Sequence, residues 1–389
     1  MQRKLSFLTV FSFCCLLFGF ALAFLILPDR PFSDQENRSL RTFPAWSVEA
    51  LLSGRLGEEF NTYFADQFPL RDSLVGVKGV AELSLGKGEN NGVLLGKNGQ
   101  LATRLFDGGL PGAEVDLDGF DVARIQAAAE GLRRAGARLE IPFSVLLTGR
   151  TIDVAESAFL YPSDVSHALQ QTLRDALRGE DFCVETIPLL REKYDAGEYV
   201  YYRTDHHWTT LGAYYAYVEV MKHFGMEEEI LPVDAFERQA VSTCFYGTAW
   251  SAGGMKHVAP DTVEIWIRGN ERDFLITADG KELDGFYSRS YLEKKDQYSL
   301  FLDGTHDVVT VTKRTGETRP TLLIPKDSFA NPLAPFLAQH FDLVLLNLSS
   351  TRKDFCDLSH FAAHYGADRV LLVYTLENVM TADKLTRLK

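Results

Sequence analysis

Residues 322–329 read Leu-Leu-Ile-Pro-Lys-Asp-Ser-Phe, an apolar run that halts at a Pro-Lys-Asp turn and leads into a helical pattern over 329–340. A short continuous apolar run closed by turn residues fits a strand buried on both faces. Strand, tight turn and helix in that order put Ser328 at or near a helix N-terminus, on the carboxyl edge of a sheet, where open α/β folds hold ligands. Unpaired N–H groups of a first helical turn can receive a developing oxyanion. The plainer reading is that Asp327 or Ser328 simply caps the helix, which both residue types do well.

The same alternation extends on both sides. Helical spacing covers 121–135, 163–177, 209–224 and 357–365, and apolar runs of strand length cover 139–147, 182–187, 343–348 and 369–374. This pattern predicts an α/β fold, a sheet with helices on both faces. Between about 240 and 320 the helical spacing gives way to strand signals at 263–267 and 308–311, which read as a β-rich insertion. Upstream, 46–68 carries apolar residues at helical spacing, 72–85 repeats the pattern, and 91–95 and 100–105 suit short strands. The expected organisation is an N-terminal helix at 1–27, a stalk and lead-in at 28–117, and the α/β domain at 118–389.

The first 27 residues set the topology. Arg3 and Lys4 precede an uncharged, apolar run from Leu5 to Leu27, long enough to cross a bilayer as a helix of roughly 20 residues. The flanking positive charges place the N-terminus on the cytoplasmic side and everything after Pro28 outside it. Ala21-Leu22-Ala23 offers a rival reading as a signal-peptide cleavage site, but cleavage there would leave Phe24-Leu25-Ile26-Leu27 as a greasy terminus. An uncleaved signal-anchor is the expectation; secretion follows if it is cut.

The chain has 389 residues and a net charge of −13, from 40 basic and 53 acidic side chains. Without a positive footprint, nucleic acid is excluded as a partner. The five cysteines include Cys14 and Cys15 in the apolar run, and none forms a Cys-x-x-Cys pair, so a zinc site of that type is absent.

Candidate chemistry centres on Thr204-Asp205-His206-His207-Trp208. In extended backbone, residues two apart share a face, so Asp205 and His207 should face one way and His206 another. His207 is then the candidate general base and Asp205 the carboxylate that fixes its tautomer, with Ser328 as the nucleophilic hydroxyl. Serine-dependent acyl transfer of this kind needs no cofactor. A rival metal reading would take Asp205 with one or both histidines and a further ligand from His257, His306 or His364; no metal is expected. Trp208, with Trp250, could stack a sugar, although core packing is the blander role for at least one of them.

The Thr-Asp-His-His-Trp-Thr segment and the following Leu-Gly-Ala-Tyr-Tyr-Ala-Tyr resemble the signature of the bacterial DHHW proteins, relatives of the SGNH-hydrolase-like alginate O-acetyltransferase proteins. Further motifs in the same order carry the resemblance: Phe-Ser-Asp-Gln-Glu-Asn-Arg-Ser-Leu after the apolar run, Asp-Gln-Phe-Pro-Leu-Arg-Asp near 70, Asn-Asn-Gly-Val-Leu-Leu-Gly-Lys near 95, Phe-Tyr-Gly-Thr at 245–248 and the 322–336 stretch. The resemblance implies a flavodoxin-like SGNH domain with Ser328 as nucleophile, His207 as base and Asp205 as orienter, the Asp-x-His pair preceding the serine. It implies acetyl transfer onto exported cell-envelope polysaccharide, often with a membrane-bound O-acyltransferase as partner. The alginate relatives have Gly before Asp-Ser, whereas this chain has Lys326, so the turn must manage without a positive φ. Lys326 could favour an anionic sugar, and Gly247 or Gly304-Thr305 could supply a second oxyanion donor. The alternative function is a non-catalytic glycan-binding or scaffold module in a membrane acetylation system.

Overall fold

The computed structural model describes residues 2–33, 38–104, 122–160, 164–350 and 356–389. The expected boundary at 117/118, and the first residues of the helices expected from 121 and 163, lie outside the described residues. Two compact units emerge: 1–90 with 254–257, and 91–253 with 258–389.

The first unit is helical: α1 (Gln2–Ile26), α2 (Val48–Leu52), α3 (Arg55–Gln67) and α4 (Arg71–Ser84). The single helix expected over 46–68 is broken because Gly54 takes φ +79°, a left-handed conformation that glycine adopts without a Cβ penalty. Ser47 caps α2 by accepting from the Ala50 N–H. Within α1, residues Phe7–Ile26 form a stretch long and apolar enough to span a membrane or to serve as a signal.

The second unit is mixed α/β. Beyond a short hairpin near its start, its strands are β1 (Phe143–Thr148), β2 (Cys183–Glu185), β3 (Glu237–Phe245), β4 (Asp261–Ile267), β5 (Phe274–Ala278), β6 (Lys281–Glu282), β7 (Val308–Lys313), β8 (Thr321–Pro325), β9 (Asp342–Leu346) and β10 (Arg369–Thr375). Eight of them form one sheet in the order β6-β5-β7-β9-β8-β10-β1-β2. The last five in that order are parallel, while β7, β5 and β6 extend the edge antiparallel. Much of the expected β-rich insertion is therefore built into the main sheet; β3 and β4 pair separately.

Consecutive residues of β1, β8, β9 and β10 are buried, so helices and loops cover both faces of the central sheet. Helices α5 (Val122–Arg138), α6 (Asp164–Ala176), α7 (Thr210–His223) and α8 (Leu358–Tyr365) supply that cover, with α5 packing on α6 and α8, and α7 on the turn after β8.

Strand order explains where chemistry can sit. Counted from the N-terminus, the five parallel strands run 2-1-5-3-4; counted instead from β8 as the first, they run 2-1-3-4-5, the flavodoxin-like order. The chain is thus wound as that sheet with its start displaced. The switch point falls between β8 and β10, and ligands bind outside the carboxyl ends of strands there. Ser328 follows β8 at this edge.

A hairpin of Val93–Leu95 and Leu101–Thr103, grouped by sequence with the lead-in, belongs to the second unit. The Leu101 N–H donates to the Arg203 carbonyl at 2.7 Å, and Gln100 Nε2 to the Tyr202 carbonyl at 2.9 Å. It therefore braces the loop that carries Asp205 and His207.

Candidate active site

Two turns from distant parts of the chain meet at the switch point. In the first, Asp327 caps the short helix Ser328–Leu333 by accepting from the Phe329 N–H at 3.0 Å. Its other oxygen accepts from the Thr375 N–H at 2.7 Å and from Asn378 Nδ2 at 2.8 Å, tying the turn to the end of β10. Asp327 takes the cap role, and Ser328 is left with its hydroxyl free to act elsewhere. Among the described residues the Ser328 N–H makes no hydrogen bond, while those of Lys326, Asp327 and Ala330 are engaged by backbone carbonyls.

The second turn is the loop 203–207, closed by an antiparallel bridge between Tyr201 and Trp208. Asp261, wholly buried, clamps it: its carboxylate accepts from the Thr204 N–H at 2.8 Å, Thr204 Oγ1 at 2.5 Å and the Arg203 N–H at 3.0 Å. Nothing in the sequence around Asp261 signals this work, since its partners lie more than 50 residues upstream.

The loop brings three side chains into one line. His207 Nδ1 donates to Asp205 Oδ1 at 2.5 Å, and His207 Nε2 lies 2.7 Å from Ser328 Oγ. Asp205 is fixed by four donors: His207 Nδ1 and N–H on Oδ1, and the Thr248 N–H (2.8 Å) and Oγ1 (3.0 Å) on Oδ2. An ionised carboxylate is acceptor-only, so this set of donors matches the charged form. Burial opposes ionisation of Asp205, but the imidazoles and the hydrogen bonds from His207 and Thr248 outweigh it and hold its pKa well below the usual carboxylate range. Nδ1–H on the Asp205 side leaves the Nε2 lone pair facing the serine hydroxyl.

His206 was expected to point elsewhere; instead its ring lies against His207, with centroids 3.8 Å apart. The segment bends rather than running extended, so alternation across a strand does not apply. His206 Nδ1 meets Thr248 Oγ1 at 2.7 Å, and burial, then the neighbouring His207, pushes its pKa down to about 3, keeping it neutral. On the other face of His207, the Tyr298 ring stacks at 3.7 Å with planes 12° apart, and its hydroxyl donates to the Ser328 carbonyl at 3.2 Å. Tyr298 thus locks imidazole and serine together. It lies in the β-rich stretch, where no motif marks it.

The other expected binding residues are placed differently. Trp208 is 0% exposed and packs edge-on against Phe329 at 5.1 Å, so it is core and cannot stack a sugar. Lys326 is buried, its Nζ donating to Asn331 Oδ1 at 2.7 Å, and burial lowers its pKa to about 8. Its Nζ holds the turn from within, the residue also lines the cleft beside Ser328, and its φ is not positive. The Gly247 N–H donates to Thr204 Oγ1 at 3.0 Å and that of Gly304 to the Phe301 carbonyl at 3.2 Å, so both are engaged, whereas Thr305 lines the cleft beside Ser328. Gly247 matters sterically: a Cβ there would stand 2.3 Å from Asp205 Cβ. Trp250 is half-buried and lies against Tyr246, with ring centroids 4.4 Å apart and planes tilted by 36°, and Lys295 Nζ is 4.3 Å from its ring centroid.

Asp205, His206 and His207 offer ligand atoms within 4.8 Å of one another, the one such group among the described residues. Both Asp205 oxygens already accept from donors, and His207 Nε2 faces Ser328, so the geometry favours proton transfer over ligation. Beside Ser328 opens a cleft of about 380 Å³, lined by Thr305, Asn347, Ser349, Tyr374 and Asn378 among others.

Residues 181–347 match the sequence profile of the family described as DHHW protein. The chain carries a DHHW-family segment. It is also similar to the probable alginate O-acetylase AlgJ of Pseudomonas aeruginosa, 26% identical over 188 residues that cover 45% of this chain and 44% of that protein. The chain thus spans less than half the length of the curated relatives it matches. Among solved structures, PatB1 of Bacillus cereus superposes with a TM-score of 0.60 at 16% identity, covering 75% of this chain and 98% of PatB1. A DHHW family protein from Eubacterium siraeum gives 0.51 at 20% identity, covering 76% and 97%. These likenesses show a shared fold. The DHHW segment includes Asp205, His206, His207, Tyr298 and Ser328 alike.

Proposed function

We propose that this chain is a membrane-anchored, extracytoplasmic O-acetyltransferase or acetylesterase acting on cell-envelope polysaccharide through an SGNH-type Ser328–His207–Asp205 triad. The observation that carries the reading is the continuous hydrogen-bonded line from Asp205 Oδ1 through His207 to Ser328 Oγ, at 2.5 and 2.7 Å. Both spacings lie within the reach a general base and its orienter require. The relatives named as alginate O-acetylases support polysaccharide O-acetylation as the class of reaction. The catalytic domain is the part from about 118 to 389 together with the hairpin of 93–103 that braces its loop, residues 1–27 anchor it, and a membrane-bound O-acyltransferase is the partner that would deliver acetyl groups.

The chemistry runs as two transfers. Ser328 Oγ attacks the acyl carbon of the donor while His207 Nε2 takes its proton, and Asp205 stabilises the imidazolium without taking a proton itself. The Ser328 N–H, unengaged at the first turn of its helix, stabilises the oxyanion. Collapse returns the proton to the leaving group and leaves an acetyl ester on Ser328. A sugar hydroxyl, or water in the esterase case, is deprotonated by His207 and attacks that ester, restoring the serine.

A serine-directed fluorophosphonate tests this reading against a binding module: a single adduct on Ser328 supports it, and an unlabelled, folded protein removes it. The packing of Gly247 supplies a further check. Gly247→Ala pushes on an Asp205 that four hydrogen bonds hold in place, and displacements of this size cost on the order of 10²-fold in rate. Turnover of a chromogenic acetyl ester should fall by that factor, with a drop of several degrees in the thermal midpoint from overpacking at a buried site; full activity would show that Asp205 can move without consequence.

A further inference from the structure

We propose that α3 and the segment before it form an interfacial element lying in the outer leaflet of the membrane that α1 crosses, with Phe43, Trp46, Leu52, Phe60 and Phe64 inserted among the lipid acyl chains. The proposal rests on the reading of α1 as a retained anchor.

Depth is the first observation. The last turns of α1 pack on α3 and the residue that ends it: Phe24 meets Phe64 at 4.9 Å and Tyr63 at 5.7 Å, and Phe20 stacks on Phe68, just past the helix, at 5.3 Å. The helix ends at Ile26. At 1.5 Å of rise per residue, Phe24 lies about 3 Å and Phe20 about 9 Å before that end. Side chains of α3 that touch them sit below the point where a spanning helix leaves the hydrocarbon. That matches the depth of about 5–10 Å at which amphipathic helices rest in the boundary between headgroups and acyl chains.

A polar collar marks the water side. Just beyond α1, the Tyr63 hydroxyl donates to Asp29 Oδ1 at 3.0 Å. The Arg30 N–H donates to Gln67 Oε1 at 2.9 Å, and Gln67 Nε2 donates to the carbonyls of Arg30 and Arg41. These bonds pin the exit of α1 to the C-terminal turn of α3.

The third observation is what lies uncovered. Trp46 is 68% and Leu52 82% exposed, and Phe43, Phe60 and Phe64 are exposed as well. Phe43 lies 6.2 Å from Phe60 and 5.3 Å from Tyr63, so the rings form one patch continuous with α1. Between α1 and α3 opens a wholly apolar cavity of about 560 Å³, closed on the α3 side by Phe64 and Phe68. A patch of this kind facing water would be a liability; continuity with a spanning helix makes lipid its occupant, and aromatic residues favour that depth.

The test reconstitutes the full-length chain in lipid nanodiscs made with phospholipids brominated either near the head or near the end of the acyl chain. Trp46→Phe serves as the subtraction. The expected result is that head-proximal bromine quenches a component of the emission that Trp46→Phe lacks, and that chain-end bromine quenches it less. Identical quenching of wild type and Trp46→Phe, in protein that resists alkaline carbonate extraction and retains residues 1–27 by intact mass, overturns the inference while leaving the anchor reading standing; it is also the outcome expected if a second copy or another membrane protein covers the patch. Release by carbonate, or loss of residues 1–27, overturns the anchor reading and the inference together.

Discussion

Ser328→Ala should lower turnover of a small acetyl ester by a factor on the order of 10⁴ or more while leaving the protein folded. The size follows from what the hydroxyl does. No other group on the turn can form the covalent intermediate, and what remains without it is oxyanion stabilisation and binding. The preserved fold follows from what the hydroxyl does not do. Its hydrogen bond is to His207, whereas the turn is held by Asp327 on the N–H groups of Phe329 and Thr375 and by Tyr298 on the Ser328 carbonyl. None of those bonds uses the serine side chain. A steady-state assay beside a thermal melt checks both halves: an active variant removes Ser328 from the mechanism, and an unfolded one removes the claim that the turn stands independently.

Asp205→Asn should cost about 10⁴-fold in kcat, the scale set when a triad histidine is held in the wrong tautomer. An amide cannot accept on both sides, whereas a backbone N–H donates on each, that of Thr248 to Oδ2 and that of His207 to Oδ1. With the amide oxygen turned towards Thr248, the amide nitrogen faces His207 Nδ1. A donor there forces His207 to accept at Nδ1 and to carry its proton on Nε2, which then points an N–H at Ser328 instead of a lone pair. The variant keeps the volume of the buried side chain, so folding should survive. Asp205→Glu, by contrast, keeps the charge but not the reach, and its activity separates tautomer control from simple charge. Near-normal kcat in Asp205→Asn would show that the carboxylate only packs the loop.

Both elements of this site were legible in the sequence for different reasons. The run 322–325 has a strand pattern and the turn after it has a composition with few uses, so β8 and the position of Ser328 could be read locally. Asp205 and His207 were legible as a pair, though the reason differed from the one that applies: they meet because a bridged loop bends them together, and the same bend lays His206 on His207 rather than away from it. Trp208 illustrates the opposite failure. An aromatic beside a site reads as a platform from sequence, and only packing against Phe329 reveals it as core. Lys326 likewise carries a charge that suggests a surface role, until Asn331 is found to receive it in the interior. Tyr298 and Asp261 were out of reach altogether, because their work is done across 30 and 57 residues of chain respectively on partners that no local spacing relates to them. The displaced start of the sheet was hidden for the same reason: strand order is a long-range property, although the order of the Asp-x-His pair and the serine along the chain is its trace.

Intact-mass spectrometry of the purified protein after incubation with an activated acetyl ester, beside Ser328→Ala and His207→Ala, is the most direct test of an acyl-enzyme. A single acetyl adduct that maps to Ser328 and is lost in both variants is the predicted result. Wild-type protein that is folded and carries no adduct, or an adduct that persists in Ser328→Ala, would contradict it.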